Sequence, residues 1–300
     1  MQRRDFLRAS SLVALSLNPM LAHALGTPAD LKDLPPTPKM PVLFVGHGSP
    51  MNAIEDNAFR QSWQKIGKEL PKPSAILMVS AHWLSDGHTA IMATSKPATI
   101  HDFGGFPEEL FAQQYPANGS PPAAKLTAEL LKKPLANGTQ IKTAFDMRQG
   151  YDHGTWSVLL PMFPQANIPV FQISIDYFKP AAYHYALGKQ LAALRERGVL
   201  IIGSGNIVHN LEAERLASGK PYEWNQAVDQ KIAQLLQKHD DQALIQFADK
   251  DKLIKLAHPT VDHLWPLFYA LGAKHEDDQV RFFNSAYAGS AISMRSVIFS

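Results

Sequence analysis

Three runs of apolar residues, Val42-Leu43-Phe44-Val45, Ile76-Leu77-Met78-Val79 and Val199-Leu200-Ile201-Ile202, are too short for helices and lack the polar alternation of a half-wet strand. Such runs predict strands covered on both faces, as in a parallel sheet. Further strands are predicted near 89–93, 140–145, 169–175, 279–286 and 291–299, and helical periodicity at about 56–69, 121–133, 155–163, 180–197, 222–238, 241–249 and 262–271. The alternation predicts a single α/β domain spanning 41–300, with a mainly parallel central sheet flanked by helices and antiparallel C-terminal strands.

Two segments precede that domain. Residues 25–40 carry Pro28, Pro35, Pro36 and Pro38, a composition expected to act as an extended tether. Residues 1–24 have the shape of a signal peptide: Arg3-Arg4-Asp5-Phe6-Leu7-Arg8 is charged, Ala9 to Leu21 is apolar, and Ala22-His23-Ala24 has the small-x-small pattern of a cleavage site. The adjacent arginines resemble a twin-arginine leader. The apolar stretch is shorter than the roughly 20 residues of a membrane span, so no stable membrane insertion is expected after cleavage. A periplasmic location follows as an expectation.

Charge narrows the partners. With 29 basic and 27 acidic residues there is no basic excess to recruit nucleic acid. Removing the leader takes Arg3, Arg4, Arg8 and Asp5 and leaves 26 of each sign. A small-molecule substrate fits such a chain better, and the oligomeric state stays open. The chain has no cysteine, so any metal site must use nitrogen and oxygen ligands.

Histidines stand where the predicted strands end. His47 follows 42–46 within Gly46-His47-Gly48-Ser49-Pro50, His82 follows 75–81, and His209 follows 199–203 across Gly203-Ser204-Gly205. Parallel strands aim their carboxyl ends at one crevice, so these imidazoles should converge. Imidazole ligates divalent metals and titrates near neutral pH, so convergence predicts a metal centre with its own acid/base group. His209 is expected in the first turn of a short helix, with Asn206 as its cap. His263 is expected in the first turn of a helix started by Thr260, and His153 at a loop-to-helix junction capped by Asp152 or Thr155. His101 opens a glycine- and aromatic-rich loop, 101–107, suited to lining a pocket. His88, His184, His239, His258 and His275 are expected to be solvated. There is no Gly-x-Ser-x-Gly hydrolase elbow and no Gly-x-x-x-x-Gly-Lys phosphate loop.

Together, Gly46-His47-Gly48-Ser49-Pro50-Met51-Asn52, Ser80-Ala81-His82-Trp83, His101-Asp102-Phe103-Gly104-Gly105-Phe106-Pro107, Asp152-His153-Gly154, Ser204-Gly205-Asn206-Ile207-Val208-His209-Asn210 and His263 before Leu264-Trp265-Pro266-Leu267 resemble the class III extradiol ring-cleaving dioxygenases, in the branch that contains 4,5-DOPA extradiol dioxygenase. The resemblance runs from about Pro41 to the C-terminus. It implies one divalent metal ion, Zn(2+) or Fe(2+), held by His47, His82 and His263, with His209 a fourth ligand or the acid/base residue. It implies that His153 orients substrate, that His101, Ser49 and Trp83 line its site, and that a DOPA-like catechol is opened with O2. Two alternatives share the ligand set: a zinc-dependent hydrolase, and a non-catalytic periplasmic metal-binding protein of the same fold.

Overall fold

The computed structural model describes residues 36–216 and 219–300. The predicted leader and most of the tether, up to residue 35, lie outside the described residues. In chain order the strands are β1 (Val42–Gly46), β2 (Ala75–Ser80), β3 (Leu84–Ser85), β4 (Thr89–Met92), β5 (Thr143–Asp146), β6 (Val170–Gln172), β7 (Ile175–Asp176), β8 (Val199–Gly205), β9 (Val208–His209), β10 (Val280–Phe283), β11 (Ile292–Ser293) and β12 (Ser296–Phe299). The helices are α1 (Ala58–Glu69), α2 (Glu108–Phe111), α3 (Pro121–Leu131), α4 (His153–Met162), α5 (Ala181–Leu191), α6 (Leu211–Arg215), α7 (Glu223–Gln237), α8 (Asp241–Lys250), α9 (Lys252–Ala257) and α10 (Trp265–Ala273).

Six strands form the central sheet in the order β10-β12-β1-β8-β2-β6. β1, β8, β2 and β6 run parallel, and β12 and β10 add antiparallel at one edge, as the alternation predicts. Every residue of β1, β2 and β8 is buried, which is why these runs carry no polar alternation. Successive side chains on a strand point to opposite faces. On β8, Ser204 reaches the Gly154 carbonyl of α4. A Cβ on Gly203 would instead meet the Pro266 carbonyl at 2.4 Å, and one on Gly205 the His263 carbonyl at 2.1 Å. So α4 covers one face, and α10 and its preceding turn lie directly on the glycine backbone of the other. Among the described residues, no helix is long and apolar enough to cross a membrane.

Several expected elements differ in detail. The helix expected over 180–197 is α5 followed by a 3-10 turn, Ala192–Arg197, closed by Gly198 at φ 74°. The helix expected from 262 divides into a 3-10 turn, Val261–His263, and α10, whose first turn holds Pro266, where a missing N–H costs nothing. His209 lies in β9 opposite Ile292 rather than in a helix, and the cap of the following α6 is Asn210. Residues 37–40 are docked, with the Thr37 and Met40 N–H groups bonded to the Glu196 and Arg195 carbonyls and Lys39 Nζ 2.7 Å from Asp278. His184 and His258 are buried, not solvated, because each ring donates Nε2–H to a backbone carbonyl, of Lys179 and Ile207 respectively.

Candidate metal centre

Five of the predicted histidines meet at the carboxyl ends of β1, β2 and β8. The ring of His82 is 5.0 Å from those of His47 and His263, His47 is 5.1 Å from His263, and His153 is 3.8 Å from His82. His209 stacks on His263 at 3.5 Å. Ligand nitrogens of His47, His82 and His153 lie within 4.8 Å of one another. The His263 ring stands a similar distance from both His47 and His82, so the rings of His153 and His263 flank that pair.

The His47 and His263 rings are each held by a partner that decides which nitrogen carries the proton. Ser204 Oγ donates to the Gly154 carbonyl, so its lone pair is left to accept Nδ1–H of His47 at 3.0 Å. Asp262 Oδ1 accepts only, so the Nδ1 that it meets at 3.0 Å on His263 carries hydrogen. Both rings therefore present a bare Nε2. Asn206 ties the loops together: its Oδ1 accepts Gly48 N–H at 3.2 Å, and its Nδ2 donates to the Ser293 carbonyl at 2.8 Å. It is a bridge, not the expected helix cap.

The donor set fits a divalent ion. Nε2 of His47 and Nε2 of His82 lie 3.1 Å apart, a contact that is favourable only with a proton or a cation between them. Two cis ligands bonded about 2.1 Å from one ion are separated by about that chord. Burial, followed by the charges of His263 and His153, holds the His47 pKa well below its ordinary value. Burial and the neighbouring histidines, His153 first, do the same for His82. Both rings are neutral at pH 7, the form in which imidazole binds metal.

Carboxylates beside the histidines were missed as site residues by the sequence reading, although each stands next to one in the chain: Asp102, Asp152 and Asp262. Asp152 caps α4 through Thr155 N–H and accepts from Ser80 and Gln172. Burial, with Asp102 nearby, pushes its pKa up to about 6. For Asp102 burial acts upward too, but the nearby His153, through its ring and its backbone N–H, outweighs it and leaves the pKa lowered. Gly154 is required here, since a Cβ would meet Ser80 Oγ at 2.5 Å and the His82 ring at 2.9 Å.

The residues expected around the substrate are more dispersed. His101 donates Nε2–H to the Gln113 carbonyl and packs on Phe103, and it is Phe103 that meets His153, at 5.6 Å. Ser49 accepts the Met51 N–H as cap of the turn Pro50–Ala53. Trp83 is 9 % exposed and packs in the core beside the crevice.

Residues 39–299 match the family model described as the catalytic LigB subunit of aromatic ring-opening dioxygenase. The chain is 42 % identical to 4,5-DOPA dioxygenase extradiol of Escherichia coli K12, over 86 % of this chain and 94 % of that one. It is 36 % identical to 4,5-DOPA dioxygenase extradiol of Beta vulgaris, over 86 % and 95 %. A crystal structure of an uncharacterized protein from Escherichia coli K12 superposes with a TM-score of 0.73 at 37 % identity, covering 87 % of this chain and all of that one. The chain belongs to the LigB family and is a class III extradiol ring-cleavage dioxygenase, an oxidoreductase.

Proposed function

We propose that the protein opens the ring of a DOPA-like catechol with O2, using one divalent ion held by His47, His82 and His263. The observation that carries this reading is the trio of imidazole rings of His47, His82 and His263, each 5.0 to 5.1 Å from the other two. Bound Fe(II) would supply the electron relay between ring and oxygen; zinc, which has no redox chemistry, would not. The relatives named for 4,5-DOPA support the substrate class.

The side chains supply the rest. His209 lies beside the ligand His263 and takes the proton that a catechol hydroxyl must lose. His153, on the far side of His82, orients the substrate. Phe103 offers an aromatic edge to the ring. An all-imidazole set leaves the ion's charge undiminished and so favours a doubly ionised catecholate.

Anaerobic loading with Fe(II), then addition of O2 and DOPA or a simpler catechol, is expected to give a yellow ring-fission product that the zinc form does not give. Turnover of esters or amides by the zinc form, with no catechol opened by either, would favour the hydrolase instead. For location, the Arg3-Arg4 leader supports export to the periplasm by the twin-arginine route. Fractionation of cells producing the R3K/R4K variant tests this, and unchanged periplasmic recovery would reject that route.

A further inference from the structure

Asp102 reaches from the 101–107 loop into the crevice and meets three groups there. Its Oδ1 accepts the backbone N–H of His153 at 2.8 Å, in the first turn of α4. Its Oδ2 lies 3.0 Å from Nδ1 of His153 and 3.6 Å from Nδ1 of His82. The approach to His153 Nδ1 lies off the hydrogen-bonding axis, so the backbone N–H is the hydrogen bond that joins the two residues. The side chain is 21 % exposed, and the positive end of the α4 dipole favours a carboxylate at this place.

The carboxylate thus sets its negative charge against the Nδ1 sides of both rings. On its other side, Nε2 of His82 faces Nε2 of His47. The same loop carries Phe103, edge-on to His153, and Phe106, 5.3 Å from Phe103. Gly105 at φ 78° makes the bend that brings the two phenyl rings together.

We infer that Asp102 is a positioning residue: it pins the 101–107 loop to α4, sets its negative charge against the Nδ1 sides of His82 and His153, and so fixes the Phe103–Phe106 wall beside the substrate ring. The wall's role rests on the catechol reading. The effect on His82 does not.

The test compares D102N, which keeps an acceptor for the His153 N–H but loses the charge, with D102E, which restores charge on a longer arm. Metal affinity of the full chain is read by competition with a chelator, beside kcat, KM for a simple catechol, and Tm. D102N is expected to bind metal about 10- to 100-fold more weakly and to lose kcat by a similar factor at unchanged Tm, with partial recovery in D102E. Wild-type metal affinity and kcat in D102N overturn the inference. So does a loss that falls in step with Tm and that D102E fails to recover, which would make Asp102 a folding residue only. The affinity arm needs no turnover: a chain whose metal binding depends on Asp102 but which opens no catechol refutes the catechol reading and leaves the positioning role standing.

Discussion

The His209 ring lies flat on the His263 ring, with 3.5 Å between centroids and 3° between planes. An imidazole lone pair lies in its ring plane, and parallel planes do not meet. The two rings therefore cannot both aim in-plane lone pairs at one ion. Asp262 leaves His263 with a bare Nε2, which supports the proposed roles of His263 as ligand and His209 as acid/base residue. His209→Ala is expected to keep its metal while kcat falls about 10²- to 10⁴-fold. His263→Ala is expected to lose the metal, and metal analysis beside the rate separates the two.

Ser204 ties His47 to α4 through one hydroxyl. Ser204→Ala leaves a buried imidazole N–H without its partner and removes the tie to α4. Its expected cost is about 1–3 kcal/mol in denaturant unfolding of the metal-free chain. A further loss of metal affinity is expected from the untethered His47 ring. A variant equal to wild type in both would mean that Ser204 orients nothing.

Much of this was legible in the sequence. His47, His82 and His209 stand at the ends of β1, β2 and β8 because uniformly apolar runs announce strands covered on both faces, and strand ends define the crevice. The strand position of His209 has no local signature, because its partner Ile292, in β11, is far away in sequence and pairing at that range leaves no local pattern. The proton-setting partners were unreadable for a related reason. Ser204 and Asn206 act through Gly154, Gly48 and Ser293, contacts that exist only once the strands are adjacent. The adjacent Asp262-His263 and His101-Asp102 pairs were visible, but His-Asp neighbours are also common turn formers.

That C-terminal strand has its own anchor. Asp229 of α7 is buried and accepts from Ser293 Oγ at 2.6 Å and from Arg295 Nε and Nη2 at 2.9 and 2.7 Å. Arg295→Ala leaves that carboxylate buried without its cation, at a cost of about 3–5 kcal/mol. Because β11 pairs with β9, turnover is expected to fall as well, through displacement of His209. Denaturant unfolding and kcat measured on one preparation check both effects.

Burial pushes the pKa of His184 down to about 3 and that of His258 down to about 4, from an ordinary value of 6.5. Between the folded and unfolded values only the unfolded chain binds these protons, so stability falls as pH drops below 6.5. Each histidine contributes a slope approaching about 1.4 kcal/mol per pH unit over that window. His184→Phe should flatten the slope by one such increment while lowering stability at pH 7, since the Tyr269 hydroxyl and Lys179 carbonyl lose their partner. Unfolding free energies measured across the window test this, and an unchanged slope would show that His184 protonates in the folded state.

The most direct test of the catechol reading is an oxygen-electrode trace of the Fe(II)-loaded protein with DOPA, recorded beside an assay for hydrogen peroxide. The account predicts one O2 consumed per catechol, a yellow ring-fission product and no peroxide. No oxygen uptake by the metal-loaded protein with any catechol, or uptake matched by peroxide, would contradict it.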